Sequence, residues 1–373
     1  ANGADMNKKN KMGQTVWDFI MDSSGIALLK MYTNIYKLVN HIQPNTEFSF
    51  CRGRTPIHIA AAKDDVTKIK CLLSMHISWK SKDDMGNTFL HTAARENSLQ
   101  VLDEFASQFE EIIQNDHGDT PLHIAVKHGN IEAVKLLLSR SSLATRNKVG
   151  STPLHIAAWS DRDTADIARL LVETIVACSS WSLLDAKDIK GNTALHIAAK
   201  RGRTNIIEEL GALDSRVTNA EGNNPLHVAA LYGGPMTLET IIDVFNDNPA
   251  NGVKDSKSQR FNLNQANSCG DTLLHICARQ GDYDNIKNLI EDGANLAVQN
   301  ILGNTILHDL AEQSVVNPTK MDSYLKVYNV IVVLSPVWWC KAKGYHVPDE
   351  DSPMLAQYQR LAMLYLTSDI QNS

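Results

Sequence analysis

Residues 150–158 read GSTPLHIAA, and this phrase decides the fold because related copies of it recur along the chain. The eight copies are GRTPIHIAA from Gly53, GNTFLHTAA from Gly86, GDTPLHIAV from Gly118, GSTPLHIAA from Gly150, GNTALHIAA from Gly191, GNNPLHVAA from Gly222, GDTLLHICA from Gly270 and GNTILHDLA from Gly303. Their glycines are separated by 33, 32, 32, 41, 31, 48 and 33 positions. A base period near 33 residues indicates a repeat protein in which each repeat is one supersecondary unit.

The residue types of the phrase predict a turn followed by a helix. Gly150 suits a turn because glycine accepts a positive φ without a Cβ clash. Thr152 can cap the helix, and Pro153 fits the first helical position, where its missing N–H costs nothing. The paired alanines keep this helix thin, so that neighbouring repeats can approach closely.

The phrase G-x-T-P-L-H-x-A-A closely resembles the opening of an ankyrin repeat. The resemblance implies an all-α solenoid in which each repeat has a β-turn, an inner helix, an antiparallel outer helix and a loop. Segments with an apolar stripe at helical spacing follow the phrases and predict the outer helices. These segments are residues 66–76, 99–109, 131–141, 164–176, 204–213, 236–245 and 283–293.

The rest of the chain is divided by its distance from this pattern. Residues 1–12 are predicted to be the tail of a preceding repeat, and residues 13–52 a degenerate ankyrin repeat in which Asp18 replaces the histidine. Residues 53–315 are predicted to form the array, with insertions at 160–190 and 246–267. Residues 316–373 are predicted to be an extended final repeat with inserted helices that leads into a further repeat. The sequence is therefore interpreted as a fragment of a longer array.

Composition limits the partners and the compartment. A net charge of −6 gives no long-range attraction to nucleic acid. The longest apolar stretch, residues 327–340, is interrupted by Asn329 and Pro336 and is too short to span a membrane. No C-x-x-C pair occurs among the cysteines, which are interpreted as small buried thiols in a reducing, cytoplasmic or nuclear compartment. They are Cys51, Cys71, Cys178, Cys269, Cys277 and Cys340.

The histidines are predicted to be structural because most of them share one repeat position. Eight of the 13 follow the helix start of a phrase: His58, His91, His123, His155, His196, His227, His275 and His308. The ankyrin resemblance implies that such rings bridge main-chain groups of neighbouring loops. Neither H-E-x-x-H, a Cys/His zinc pattern, a phosphate-binding loop nor a nucleophile elbow is present, so we expect no metal, no cofactor and no enzymatic activity.

The ankyrin resemblance implies that inner helices line a concave, partner-binding face. The residues nine positions after each glycine are Ala62, Arg95, Lys127, Trp159, Lys200, Leu231, Arg279 and Glu312, and Tyr232 follows at the tenth. We predict that Arg95, Lys127, Trp159, Lys200, Tyr232 and Arg279 bind a partner protein or peptide that carries an acidic segment and an apolar anchor. Solvated basic residues without a partner are the alternative for the charges. The leading function is a protein-interaction scaffold.

Two other functions fit the same array. The long helical run after the last phrase resembles the cytosolic ankyrin regions of transient receptor potential channels, so the chain can also be read as the cytosolic domain of an ion channel. The array of a pathogen effector or toxin is the other alternative. Trp338 and Trp339 either cap the last repeat or anchor a partner, and the insertion at 246–267 is either a tolerated loop or a binding element.

Overall fold

A computed structural model of the chain describes residues 54–74, 77–108, 113–139, 141–210, 217–247, 262–316, 325–329 and 331. Within these ranges every regular element is helical, so the all-α prediction is confirmed. The chain divides into two compact units, Ala1–Cys178 and Ser179–Ser373, which are described separately. The predicted segments 1–12 and 13–52 lie outside the described residues, as do Trp338, Trp339 and most of the insertion at 246–267.

The first unit is a series of helix pairs in which an inner helix is followed by an outer one. The pairs are α1 (Pro56–Ala62) with α2 (Val66–Ser74), α3 (Phe89–Glu96) with α4 (Leu99–Phe105), α5 (Pro121–His128) with α6 (Ile131–Leu138), and α7 (Pro153–Trp159) with α8 (Ala165–Ala177). Inner helices pack on the next inner helix, and outer helices on the next outer one. At 13 residues α8 is longer than the other outer helices of this unit, as the insertion at 160–190 predicts.

The second unit opens with a 3₁₀ turn, Trp181–Leu183, and continues the same alternation. Its helices are α9 (Ala194–Lys200), α10 (Thr204–Glu209), α11 (Pro225–Val228), α12 (Pro235–Asp247), α13 (Leu273–Gln280), α14 (Tyr283–Glu291) and α15 (Ile306–Val316). Helix α11 passes into a π-helical turn, Ala229–Gly233. Residues 325–329 are helical too, and they lie in the segment 316–373 that is predicted to carry inserted helices.

Small and large apolar residues divide the core between them. Ala93 and Ala94 of α3 are fully buried, as are the paired alanines of α1, α7 and α9, which permits close packing of successive repeats. Phe89 of α3 and Phe105 of α4 meet edge to face, with ring centroids 5.7 Å apart. In this repeat bulky aromatic side chains therefore join the two helices, and small buried side chains permit the close approach of neighbouring repeats.

The cysteines do not follow the single prediction made for them. Cys277 in α13 is buried, and burial raises the pKa of its thiol. Cys71 is half-buried, whereas Cys178 and Cys269 are exposed, so the prediction of buried thiols is wrong for these two. The physical reason is position: Cys178 follows the end of α8, and Cys269 lies in a turn. Cys51 and Cys340 lie outside the described residues.

Candidate partner-binding surface

An acidic or amide side chain stabilises each β-turn from Gly86 to Gly303 by accepting hydrogen bonds from main-chain N–H groups of the turn. In the turn before α5, Oδ1 of Asn115 accepts hydrogen bonds from the main-chain N–H groups of His117 and Asp119, both at 2.9 Å. Gly118 in the same turn has φ +77°. Equivalent bonds are accepted by Asp83, Asn147, Asp188, Asn219, Asn267 and Asn300. Sequence reasoning missed this position, although Asp or Asn stands three residues before seven of the eight glycines.

Successive turns are hydrogen-bonded to one another. The N–H of Asp116 donates to the carbonyl of Met85 at 3.1 Å, and the N–H of Lys148 donates to that of His117 at 2.9 Å. Beside this main-chain ladder, Nδ2 of Asn147 donates to Oδ1 of Asp119 at 2.8 Å. The turns thus form a continuous row within the unit, and they are held at a fixed distance from the inner helices.

The repeated histidine ties each inner helix to the next turn. Nδ1 of His91 accepts from the N–H of Thr88 at 3.1 Å and lies 3.0 Å from its hydroxyl, and Nε2 lies 2.9 Å from the carbonyl oxygen of Asp119. Because a main-chain N–H only donates and a carbonyl only accepts, the ring is neutral with its proton on Nε2. Burial lowers the pKa of His91 to about 4, which favours the same neutral form.

Other repeats reproduce this arrangement. Nε2 donates to the carbonyl of the residue after the next glycine from His58 (Asn87, 2.8 Å), His123 (Ser151, 3.1 Å), His196 (Asn223, 2.9 Å) and His275 (Asn304, 3.0 Å). His227 differs, because its Nε2 donates to the carbonyl of Gln265, five residues before Gly270, at 3.0 Å. These rings are therefore structural. Across the described ranges no three His, Cys, Asp or Glu side chains converge in a way that could hold a metal ion. Nor do these ranges contain a helix with the length and apolarity needed to cross a bilayer.

The predicted binding residues of the first unit all lie at or near the C-terminal ends of inner helices. Arg95 is half-buried near the end of α3, and Lys127 is exposed near the end of α5. Trp159, the last residue of α7, is 48% exposed. The buried hydroxyl of Ser160 donates to the main-chain carbonyl of Lys127 at 3.2 Å, which fixes the end of α5 relative to the end of α7.

In the second unit two of the predicted residues are in contact. Nζ of Lys200 lies 4.6 Å from the ring centroid of Tyr232, a cation–π distance. Tyr232 belongs to the π-helical turn and is 57% exposed. The sequence predicted a basic and an aromatic residue here but not their pairing, because the π-helical turn that accompanies it is not encoded in the periodicity.

Arg279, the sixth predicted residue, is already engaged within the fold. Its Nη1 donates to Oδ1 of Asp271 and Oδ2 of Asp309, both at 3.1 Å, and its Nη2 also pairs with Asp271. Both carboxylates are buried. Two acidic partners therefore offset its charge, and its capacity to attract an external acidic group is lower than that of Lys127 or Lys200.

The turn tips add apolar surface that sequence reasoning missed. Exposed large side chains occupy the tips at Met85, Val149, Ile189, Ile301 and Leu302. The available signal was an apolar residue one or two positions before the glycine, just outside the repeated phrase. They add exposed apolar area to the turns that precede the inner helices, and Met85 lines the same cavity as Arg95 and Lys127.

Comparison with known proteins identifies the repeat. The family described as "Ankyrin repeats (3 copies)" matches residues 26–116, 104–182 and 175–253, and "Ankyrin repeat" matches residues 269–301. Together these matches cover well over half of the chain. They extend N-terminally into the stretch predicted to be a degenerate repeat.

Several relatives share these repeats. The chain is 28% identical over 130 residues to the E3 ubiquitin-protein ligase KEG of Arabidopsis thaliana, across 34% of this chain and 7% of the relative. It is 30% identical over 126 residues to Neurogenic locus notch homolog protein 2 of Homo sapiens, across 34% and 5%. It is 33% identical over 144 residues to the NAD-dependent deacetylase sir2B of Dictyostelium discoideum, across 32% and 18%. The chain spans less than a fifth of each relative.

What these differently named proteins have in common with the chain is the repeat. Ankyrin repeats are generally interaction modules without enzymatic activity. Since the family matches follow the same phrases that begin the helix pairs of both units, the chain belongs to the ankyrin repeat family and forms a protein-interaction repeat domain.

Proposed function

We propose that this chain is a cytoplasmic interaction scaffold that binds a partner protein or peptide through the inner-helix ends and the adjoining turn tips of its repeats. The observation that carries the proposal is Trp159. A large aromatic side chain that is 48% exposed at the end of an inner helix has apolar area available for burial by a partner. Aromatic side chains of this kind dominate the binding energy of protein interfaces.

Charge supports an acidic partner segment. Lys127 and Lys200 are exposed at equivalent positions of α5 and α9, and Arg95 is half-buried at the equivalent position of α3. Basic groups beside an aromatic anchor raise the rate at which an acidic segment finds the surface. Arg279 contributes less because Asp271 and Asp309 offset its charge. Each unit thus offers its own set: Arg95, Lys127 and Trp159 in the first, and Lys200, Tyr232 and Arg279 in the second.

The test starts from a partner captured from a cell lysate and identified by mass spectrometry. Binding of the purified partner is then measured by surface plasmon resonance for the parent chain, Trp159→Ala and Trp181→Ala. Trp181 is the matched control, because it is 55% exposed but lies in the 3₁₀ turn rather than at an inner-helix end. We expect Trp159→Ala to lose about 2 kcal/mol of binding free energy and Trp181→Ala to bind normally. Loss of binding in Trp181→Ala alone would place the interface elsewhere.

A further inference from the structure

A small cavity in the first unit lies between two turns and the inner helices α3 and α5. Its volume is about 110 Å³, and Thr92, Arg95, Asp119, Ile124 and Lys127 are among the residues that line it. At ~30 Å³ per water molecule, the space accommodates a few waters or one side-chain carboxylate, but not a helix. The cavity adjoins the predicted binding residues Arg95 and Lys127.

Two residues that line this cavity each carry a buried polar atom without a hydrogen-bond partner among the described residues. These atoms are the buried Oγ1 of Thr92 and the buried Nη2 of Arg95. Thr92 as a whole is only 2% exposed. Arg95 donates through Nε to Glu96 at 3.0 Å, which leaves Nη2 unused. Buried donors are normally satisfied, so an acceptor that reached this pair would be stabilised.

The second unit contains the same arginine position with its acceptors supplied. Arg279 stands nine residues after Gly270, as Arg95 stands nine after Gly86. Arg279 is bound by Asp271, one residue after its glycine, and by Asp309, six residues after the glycine of the next repeat. At the Arg95 site these two positions hold Asn87 and Ile124, which carry no charge.

Thr92 also departs from the other repeats. Its position, six residues after the glycine, holds Ile59, Ile124, Ile156, Ile197, Val228, Ile276 and Asp309 elsewhere. The threonine replaces an apolar side chain by a hydroxyl in the cavity that Arg95, with its unpartnered Nη2, also lines. The unusual threonine and the arginine with an unpartnered Nη2 therefore line the same cavity.

Basic residues outnumber acidic ones in the lining of the cavity, with Arg95 and Lys127 against Asp119. Burial and the positive charges of Arg162, Arg95 and Lys127 lower the pKa of His128, against the opposing effect of Glu96. One carboxylate, Asp119, also lines the cavity, but its Oδ1 accepts from Nδ2 of Asn147 at 2.8 Å.

We propose that the cavity is a carboxylate-binding subsite in which Nη2 of Arg95 and the hydroxyl of Thr92 receive an Asp or Glu side chain of the protein partner. The inference rests on the proposed function, because the carboxylate belongs to a partner bound at the inner-helix ends. The partner's carboxylate would serve Arg95 as the acceptor that Asp271 and Asp309 provide to Arg279 from within the fold. It also assigns Arg95 a role in specificity, separate from the role of Trp159 as an apolar anchor.

The experiment uses short random peptides displayed on phage and selected on the 373-residue chain. Selected peptides are made with each Asp or Glu replaced in turn by Asn or Gln, and with phosphoserine in its place. We expect one acidic residue whose replacement weakens binding by about tenfold or more, as loss of a charged hydrogen bond predicts. That preference should fall below about twofold in Thr92→Ile and Arg95→Met, and it should persist in Lys135→Gln, which removes a cation from the outer helix α6.

A further variant tests the internal comparison. Ile124→Asp introduces a carboxylate at the position equivalent to Asp309 and is expected to occupy Arg95, so that the acidic preference of the peptides is lost. Thr92→Ile restores the residue type found in other repeats, and its unchanged thermal unfolding midpoint would show that the fold is kept.

The outcomes separate this inference from the proposed function. If Trp159→Ala abolishes peptide binding but the acid-to-amide replacements cost the same in the parent chain and in Arg95→Met, the carboxylate subsite is wrong and the binding surface stands. If the peptides bind to Trp159→Ala and to Arg95→Met as tightly as to the parent chain, both the carboxylate subsite and the proposed binding surface are wrong. Binding of the phosphoserine peptide about tenfold more tightly than the acidic one would replace the carboxylate by a phosphate.

Discussion

Nε2 of His91 donates a hydrogen bond to the carbonyl oxygen of Asp119 across 2.9 Å, so one ring joins helix α3 to the turn of the following repeat. His91→Ala removes this bond and the bond from Thr88, and it leaves buried polar groups and a cavity. We expect a loss of about 2–4 kcal/mol in the free energy of unfolding, measured by urea denaturation. His117→Ala is the control because His117 is exposed on a turn, and its unfolding should be nearly unchanged. Equal stability of the two variants would contradict the role of His91.

The buried histidines predict how stability depends on pH. Burial lowers the pKa of His91 to about 4, and it also lowers the pKa of His58, His123 and His227. The unfolded chain, with histidine pKa values near ~6.5, binds more protons than the folded chain below that pH. Stability should therefore be full above about pH 7 and decrease as the pH falls towards ~4, by about 3 kcal/mol from His91 alone.

The measurement is the urea midpoint between pH 7.5 and 4.5, compared for the parent chain and His91→Ala. A smaller decrease is expected in the variant because it lacks one histidine that is buried and neutral in the folded chain and takes up a proton on unfolding. A midpoint that stays constant over this range in the parent chain would show that the folded and unfolded chains bind the same number of protons, so that burial does not lower these pKa values.

Gly118 is required for two reasons that can be separated. It has φ +77°, and an added Cβ would lie 2.6 Å from the main-chain nitrogen of Lys148 in the next turn. Gly129 has φ +74°, but its Cβ would lie 3.6 Å from the nearest atom, in the flexible side chain of Arg162. Gly129→Ala should cost about 1 kcal/mol, and Gly118→Ala clearly more, since the turn ladder must also shift. Thermal unfolding of both variants checks the difference, and equal losses would mean that the turns are not in close contact.

Lys127 is predicted to act on the rate of partner binding. Lys127→Glu should lower the association rate constant and weaken its dependence on salt, because attraction to an acidic segment becomes repulsion. Lys135→Glu is the matched control, because Lys135 is paired with Glu132 on the outer helix α6. This substitution should leave the association rate constant nearly unchanged. Stopped-flow association kinetics at two salt concentrations distinguishes the variants. An unaltered association rate constant in Lys127→Glu would show that Lys127 is not part of the partner-binding surface.

The cysteines should differ in reactivity. Cys178 and Cys269 are exposed and should be alkylated by a maleimide in the folded protein, whereas Cys277 is buried, with a raised pKa, and should react only after unfolding. Peptide mass spectrometry after brief labelling at pH 7.5 identifies the modified sites. Labelling of Cys277 in the native state would show that α13 opens locally.

Most of the fold follows from the phrase because its chemistry is local. Thr88 at a helix start, the alanines of α3 and the glycine of each turn act within a few residues, so their roles are readable from the sequence. Contacts between repeats are less accessible. The bonds of Asn147 to Asp119 and of Arg279 to Asp309 depend on which side chains face each other across a repeat boundary. The six predicted surface residues could be placed by counting from each glycine, but counting could not distinguish the engaged Arg279 from Arg95 with its unused Nη2.

The bond from each histidine to the next turn also makes the chain divisible in whole repeats. If residues 118–149 were excised, Gly150 would take the place of Gly118, and the ring of His91 would meet the carbonyl of Ser151, the acceptor that His123 uses now. The joints made by His91 and His123 use the same donor and the same kind of acceptor, so the shortened chain would close without a new type of contact. The length of such a protein can therefore change by genetic duplication or loss of one repeat, while the hydrogen bonds between the repeats on either side stay of the same kind.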